Sequence, residues 1–289
     1  MKRLLAIAAS AVVCVGAASA AAVGAPGPAA QSGRSESHAP DLHGPLPHRR
    51  VPAVAGADLV GSENWSGYAQ SAPAGTFTGV SATFVVTTVD TKMSGTQYSS
   101  DWVGVDGFNN GKLVQAGVEE DNFDGAAYYQ AWTEVLPKSE NPLTLTIAPG
   151  DLVTATVHEI ADNRWVMMVS DDTTGKSAKR VVNYRAPGTS VEAIHERPCV
   201  IAGCNSVSDL ADLATTSDEV FDPAQFTESR PRTSTVYQPL LVPTSGAILY
   251  DIVMLANNGS TPLATPSGPN AAGDGFAVAD GSTTPPAPG

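Results

Sequence analysis

The sequence predicts an all-β fold, and three observations predict it. Between residues 61 and 280 the chain is a succession of short runs rich in Val, Ile, Thr and aromatic residues. Turn signals built from Gly, Pro, Asn and Asp separate the runs. No stretch sustains a helical period over three turns. The 61–280 segment is long enough to bury a substantial core as one domain, and short strands with turns between them predict a sandwich or a barrel.

Taken in order, strands are expected at 64–70 and 79–87, with a Pro- and Gly-containing turn between them. The central element follows: two strand signals within 101–118, joined by Asn110-Gly111, a pair that favours the positive φ angles of a tight hairpin. Further strands are expected at 126–136 and at 143–147, the latter ended by Pro149-Gly150. The runs 151–160 and 164–170 pair around Ala161-Asp162-Asn163, and a turn at 173–176 leads into 179–184. The runs 191–196 and 247–255 complete the set.

If Asn110-Gly111 is the loop, Gly104 lies opposite Gly117 and Asp106 opposite Gln115. Side chains alternate along a strand, so Trp102, Gly104 and Asp106 share one face with Gln115 and Gly117. Val103, Val105, Val114, Ala116 and Val118 form the other, apolar face. The plain structural reading is a hairpin packed on one side and solvated on the other. The chemical reading is a carboxylate and an amide on one polar face. The run 191–196 alternates in the same way, with Glu192, Ile194 and Glu196 on one face and Val191, Ala193 and His195 on the other.

The ends of the chain read differently. Residues 1–22 have the form of a secretory signal peptide: Lys2 and Arg3, an apolar run to Ala18, then Ala18-Ser19-Ala20 as a cleavage site. The run is short for a membrane span, and Cys14 follows Val13 where a lipoprotein signal needs a small residue. A secreted, extracellular protein with no membrane anchor is expected. Residues 23–60 are Ala-, Gly-, Pro- and Ser-rich and read either as a disordered linker or as a basic pro-segment that masks an acidic site. Residues 281–289 read as a loose tail. From residue 60 onward 26 Asp and Glu stand against 11 Lys and Arg, a formal charge of −15. Such a domain repels polyanions, which excludes nucleic acid as a natural partner, and it suits work in acid. Nothing in the chain calls for an obligate partner, so a monomer is expected.

Cys199 and Cys204 remain after signal removal, an even pair in an exported chain, and are expected to form a small-loop disulfide. His195, Cys199 and Cys204 as a zinc site lack a fourth ligand. His195-Glu196 begins like HExxH, but Cys199 stands where the second His belongs and Pro198 breaks the helix that motif needs. No metal and no cofactor are expected.

The run WVGVDG at 102–107, LVQAG at 113–117 and Tyr129-Gln130-Ala131-Trp132-Thr133-Glu134 with Pro137 together resemble the signature block of the glutamic peptidases, or eqolisins. The likeness extends from Asn64 to about residue 280 and implies a bacterial, secreted member of that family. It implies an antiparallel two-sheet, concanavalin-like β-sandwich acting as an endopeptidase on protein or peptide substrates. In that family the catalytic Glu ends a strand of the form A-E-F/W-I-x-E. Glu192, Ile194 and Glu196 match that form, which puts Glu196 in the catalytic place and Gln115 in that of its amide partner. Asp106, facing Gln115, is expected to orient its amide, Trp102 and Trp132 are expected to wall a substrate cleft, and Glu134 corresponds to a carboxylate of the family's signature. Fungal members commonly carry Asp where this chain has Gln130.

Such a dyad suffices for peptide hydrolysis. An ionised Glu takes a proton from water and returns it to the leaving nitrogen, while a Gln amide donates to the tetrahedral oxygen. A Glu base works best near its own pKa, normally around 4.3, which predicts an acid optimum. Two other classes compete: a sandwich glycosidase drawing two carboxylates from Glu119-Glu120-Asp121 and Glu134, and a carbohydrate-binding module with Trp102 and Trp132 as stacking platforms. Within residues 61–280 a Ser-His-Asp triad has only His158 and His195 to draw on, and no G-x-S-x-G elbow is present.

Overall fold

A computed structural model describes residues 49–50, 58–200, 206–228 and 236–289, all of which belong to one compact unit spanning 37–289. The strands begin with β1 (Arg49–Arg50), β2 (Asp58–Ser62), β3 (Trp65–Ser71), β4 (Phe77–Val85) and β5 (Thr96–Gln97). Next come β6 (Ser100–Val105), β7 (Val114–Phe123), β8 (Ala126–Val135) and β9 (Asn141–Pro142). They continue with β10 (Leu152–Ala161), β11 (Arg164–Asp171), β12 (Lys176–Asn183) and β13 (Ser190–Glu196). The last are β14 (Glu219–Glu228), β15 (Gln238–Pro239), β16 (Ile248–Leu255), β17 (Pro262–Pro266) and β18 (Phe276–Asp280). One 3-10 turn, Val207–Asp209, is the only helical element among the described residues, and no helix there is long and apolar enough to cross a membrane.

The chain is all-β. Pairing runs β1–β2–β16–β3–β13–β6–β7–β8–β9 in one layer and β12–β11–β10–β4–β14–β18–β17 in the other. β17 also pairs with β16, so hydrogen bonding is continuous from one layer to the next. Every strand pair is antiparallel except β2 with β16, which is parallel. Alternate residues of both layers turn inward onto a core that includes Val103, Val105, Val114, Ala116, Val118, Phe84, Val157, Met167, Phe221 and Phe226. A second cluster of Trp65, Trp102, Trp132, Ile194, Leu113, Tyr250 and Ile252 lies on the opposite face of the β3–β13–β6–β7–β8 sheet. Burying one Trp removes roughly 200 Å² from water, about 5 kcal/mol before the entropy of ordering. Trp65 and Trp102 meet edge to face at 5.0 Å.

Two expectations about local structure need correction. The hairpin does not turn on two residues. Gly104 pairs with Gln115 and Trp102 with Gly117, a shift of two from the expected register. Asp106 takes φ 67 and leaves the strand, so residues 106–113 form the loop. A shift of two equals the pleat period, so every side chain that remains in the two strands keeps the face the sequence assigned it, and only Asp106 leaves its face. The run 143–147 forms no strand, yet Leu143, Leu145 and Ile147 are buried as its alternation requires. The expected signal peptide, most of the 23–60 segment and Cys204 lie outside the described residues.

Candidate active site

The register of four strands draws up one row of residues. Glu192 on β13 lies opposite Gly104 on β6, Gly104 opposite Gln115 on β7, and Gln115 opposite Glu134 on β8. On the other flank Glu192 faces Ala69 on β3, and Ala69 faces Tyr250 on β16. Directly paired residues share a face, and neighbouring strands stand about 4.8 Å apart, so the Cα atoms of Glu192 and Gln115 are about 10 Å apart. The residue between them has no side chain. A Cβ on Gly104 would come within 3.2 Å of Glu192 Oε1, 2.9 Å of Trp102 and 2.8 Å of Leu113. Gly104 therefore keeps clear the gap that the amide and the acid both face. Gly117 does the same for the next row, where a Cβ would stand 2.4 Å from Trp102 Cβ.

Gln115 is held by Glu134. Its Nε2 donates to Glu134 Oε2, which fixes the plane of the amide and decides which end is the donor. Both side chains are buried. Glu192 is also fully buried, and neither of its oxygens makes a hydrogen bond. Burial, reinforced by the charge of Asp106, raises its carboxyl well above the ordinary value of 4.5, and the nearby Ser190 hydroxyl offsets part of that rise.

Glu196 is not brought to Gln115. It lies two pleat periods further on, opposite Ser100, in the row of Glu119 and Gln130. Four residues separate it from Glu192, about 13 Å along the strand. Its carboxylate is fully engaged elsewhere: Oε1 accepts from Asn64 Nδ2 at 2.8 Å and from Trp65 Nε1 at 2.9 Å, and Oε2 accepts from Trp102 Nε1 at 2.7 Å. Three fixed donors make Glu196 a clamp that ties β3, β6 and β13 together. The residue that meets Gln115 across Gly104 is Glu192, four positions upstream on the same face.

Asp106 does not orient Gln115 either. Having left the strand, its carboxylate accepts from the Gly188 and Thr189 backbone at 2.9 and 2.8 Å, from Thr189 Oγ1 at 2.9 Å and from Asn110 Nδ2 at 3.0 Å. It anchors the hairpin loop to the approach of β13. Trp102 and Trp132 line the row beside the candidate dyad and are fully buried rather than open as stacking platforms. Gln130 ties β8 to residue 143, its Nε2 donating to the Ala131 and Leu143 carbonyls at 2.8 and 2.9 Å.

The row is closed from above. Leu113 fills the space over Gly104, and Phe108 in the 106–113 loop packs on Tyr250 with ring centroids 4.6 Å apart. A cavity of about 310 Å³, with Lys112, Arg180 and Tyr184 in its wall, reaches Glu134 at the end of the row.

Comparison with known proteins agrees with this architecture. The chain is similar in fold to a crystal structure of scytalido-glutamic peptidase with a peptide-based transition-state analogue: 22% identity, TM-score 0.58, covering 75% of this chain and 98% of that one. It is likewise similar to SCP-B, a member of the eqolisin family of peptidases in complex with the tripeptide Ala-Ile-His, at 21% identity and TM-score 0.57 over 75% and 98% of the two chains. Aspergilloglutamic peptidase from Aspergillus niger matches at 23% identity and TM-score 0.51 over 64% and 99%. No curated protein sequence matches. The profile described as the peptidase A4 family matches residues 63–268, most of the chain. The chain belongs to the peptidase A4 family, the glutamic peptidases, and is a peptide-bond hydrolase.

Proposed function

We propose that the chain is a secreted, acid-acting endopeptidase in which Gln115 and Glu192 work on one water molecule. The observation that carries this reading is the Glu192–Gly104–Gln115–Glu134 row, in which an acid without a hydrogen-bond partner faces an oriented amide across a residue that has no side chain. Opening of the site to water relieves the burial that keeps Glu192 protonated. The ionised carboxylate then takes a proton from the water, the water oxygen attacks the peptide carbonyl carbon, and the carbonyl electrons move to oxygen. The Gln115 amide donates to that oxygen, and Glu134 keeps the amide in place. Glu192 then returns the proton to the nitrogen as the carbon–nitrogen bond breaks. Entry of a peptide requires Leu113 and the 106–113 loop to withdraw, which separates a sealed resting state from a working one.

Incubation of the purified protein at pH 3 to 5 with denatured protein and a polysaccharide panel tests the reading. Peptide products alone support it, and cleavage of glycan alone overturns it. Within that assay, Gln115→Ala is expected to lower kcat by roughly a hundredfold to a thousandfold, the cost of losing one oxyanion donor, and a chelator at pH 4 is expected to change nothing. Export and a Cys199–Cys204 disulfide are part of the same proposal. The intact mass of the secreted protein, before and after reduction, reads both: a start beyond Ala20, and a gain of two hydrogens on reduction.

A further inference from the structure

The face of β6 and β13 that turns away from the dyad carries a second cluster of ionisable side chains. Asp101 on β6 and His195 on β13 are direct neighbours across the strand pair. His195 Nδ1 stands 3.0 Å from Asp101 Oδ1 and 3.9 Å from Glu219 Oε1 on β14, and one ligand atom from each of the three lies within 4.8 Å of the others. All three are buried inside the sandwich. Glu120 on β7 adjoins Asp101, with its own oxygens already accepting from the Thr87 amide at 3.0 Å and the Thr87 hydroxyl at 2.9 Å.

Hydrogen bonds leave this group incomplete. The Glu219 side chain is 2% exposed, and no fixed donor serves its oxygens; its hydrogen-bonding neighbour is the Asp101 carboxyl, a second acid. Asp101 Oδ2 is also without a donor, although Oδ1 meets the imidazole. The charged neighbours that act on these carboxyls are one another and His195. Buried carboxylate oxygens aimed at one point need a positive charge there. We propose that Asp101, His195 Nδ1 and Glu219 form a structural site for a divalent first-row cation, best matched by Zn²⁺, with the second Glu219 oxygen completing the four ligands. One imidazole nitrogen with carboxylate oxygens is a borderline donor set suited to Zn²⁺. Bonds of 2.0 to 2.2 Å in tetrahedral array put ligand atoms roughly 3.3 Å apart, between the 3.0 and 3.9 Å that separate His195 Nδ1 from the two carboxylates, with all three ligand atoms within 4.8 Å of one another. The ion bridges β6, β13 and β14, and so fastens the catalytic layer to the other sheet. It lies on the far side of the β6–β13 pair from Gln115 and Glu192 and takes no part in hydrolysis.

Metal content of the full chain, produced with zinc in the medium and purified at pH 7 without chelator, tests this directly. One Zn²⁺ per chain is expected, and a melting temperature higher by roughly 5 °C or more with added Zn²⁺ than with a chelator. Glu219→Gln and Asp101→Asn, which keep side-chain shape, are expected to lose both the bound ion and the shift. Absence of stoichiometric metal in the wild type overturns the site and leaves protons as its only counter-charge. Retention of the ion in both variants also overturns it, because the zinc is then held elsewhere. Mn²⁺ in place of Zn²⁺ is expected to give a smaller shift, and a larger one contradicts the choice of metal.

Discussion

Glu192→Gln is expected to abolish peptide hydrolysis, by at least about a thousandfold in kcat, while raising the melting temperature at neutral pH by a few degrees. The loss of rate follows from removing the only titratable member of the Glu192–Gln115 pair: a second amide cannot take the proton from water. The gain in stability follows from the same burial that makes the residue unusual. Glu192 has no hydrogen-bond partner, and its ionised form is disfavoured in the folded chain, chiefly by burial. An amide of the same shape escapes the cost of ionising there. A variant that is inactive because it is misfolded melts lower, so the opposite direction of the two readouts identifies the mechanism. Activity against a denatured protein at pH 4 and a melting curve at pH 7 check it.

The second large effect is on stability against pH. Burial raises the carboxyls of Asp101, Glu120, Glu192 and Glu219 above their ordinary values of 3.8 and 4.5, and raises Asp251 to about 6. In the unfolded chain each loses its proton near the ordinary value, while the folded chain retains it to higher pH. Their contribution to stability is thus fully present below about pH 3.8 and is lost as pH rises through the folded values. For Asp251 that window lies between 3.8 and about 6. One pH unit of displacement on one group is worth about 1.4 kcal/mol, against roughly 5 to 15 kcal/mol for a whole domain. With a chelator present, the melting temperature is expected to fall by several degrees or more between pH 4 and pH 7. A melting temperature that rises over that interval contradicts the assignment of these buried carboxyls.

Much of this molecule was legible before its structure, because a pleat has a period of two. Alternation assigned Val103, Val105, Val114, Ala116 and Val118 to the core and Gln115 to the opposite face, and those faces hold. The register within the hairpin was not legible. Asn110-Gly111 carries a strong tight-turn signal, but Asp106 is worth more as an anchor for Gly188 and Thr189 than as a strand residue, and the loop lengthens to reach them. β14 was missed because Pro223 interrupts it. The strand absorbs the proline at an irregularity between Phe221 and Ala224, which only its partner β4 reveals. The difference in surroundings between Glu192 and Glu196 was not legible for a related reason. Both sit on one face of β13, and telling them apart needs the rung on which each meets β6, information held by the neighbouring strand. A cue for Glu196 did exist in the indole and amide donors of Asn64-Trp65 and Trp102, but it becomes a cue only once those strands are known to adjoin.

The proposed hydrolysis depends on Glu192, not Glu196, sharing the water with Gln115. The most direct measurement is kcat/KM at pH 4 for Glu192→Gln and Glu196→Gln side by side, expressed per folded molecule. Glu192→Gln is expected to be folded and inactive, whereas Glu196→Gln, deprived of a carboxylate that accepts from Asn64, Trp65 and Trp102, is expected to melt lower yet keep measurable turnover. Turnover surviving in Glu192→Gln and vanishing from folded Glu196→Gln would contradict it.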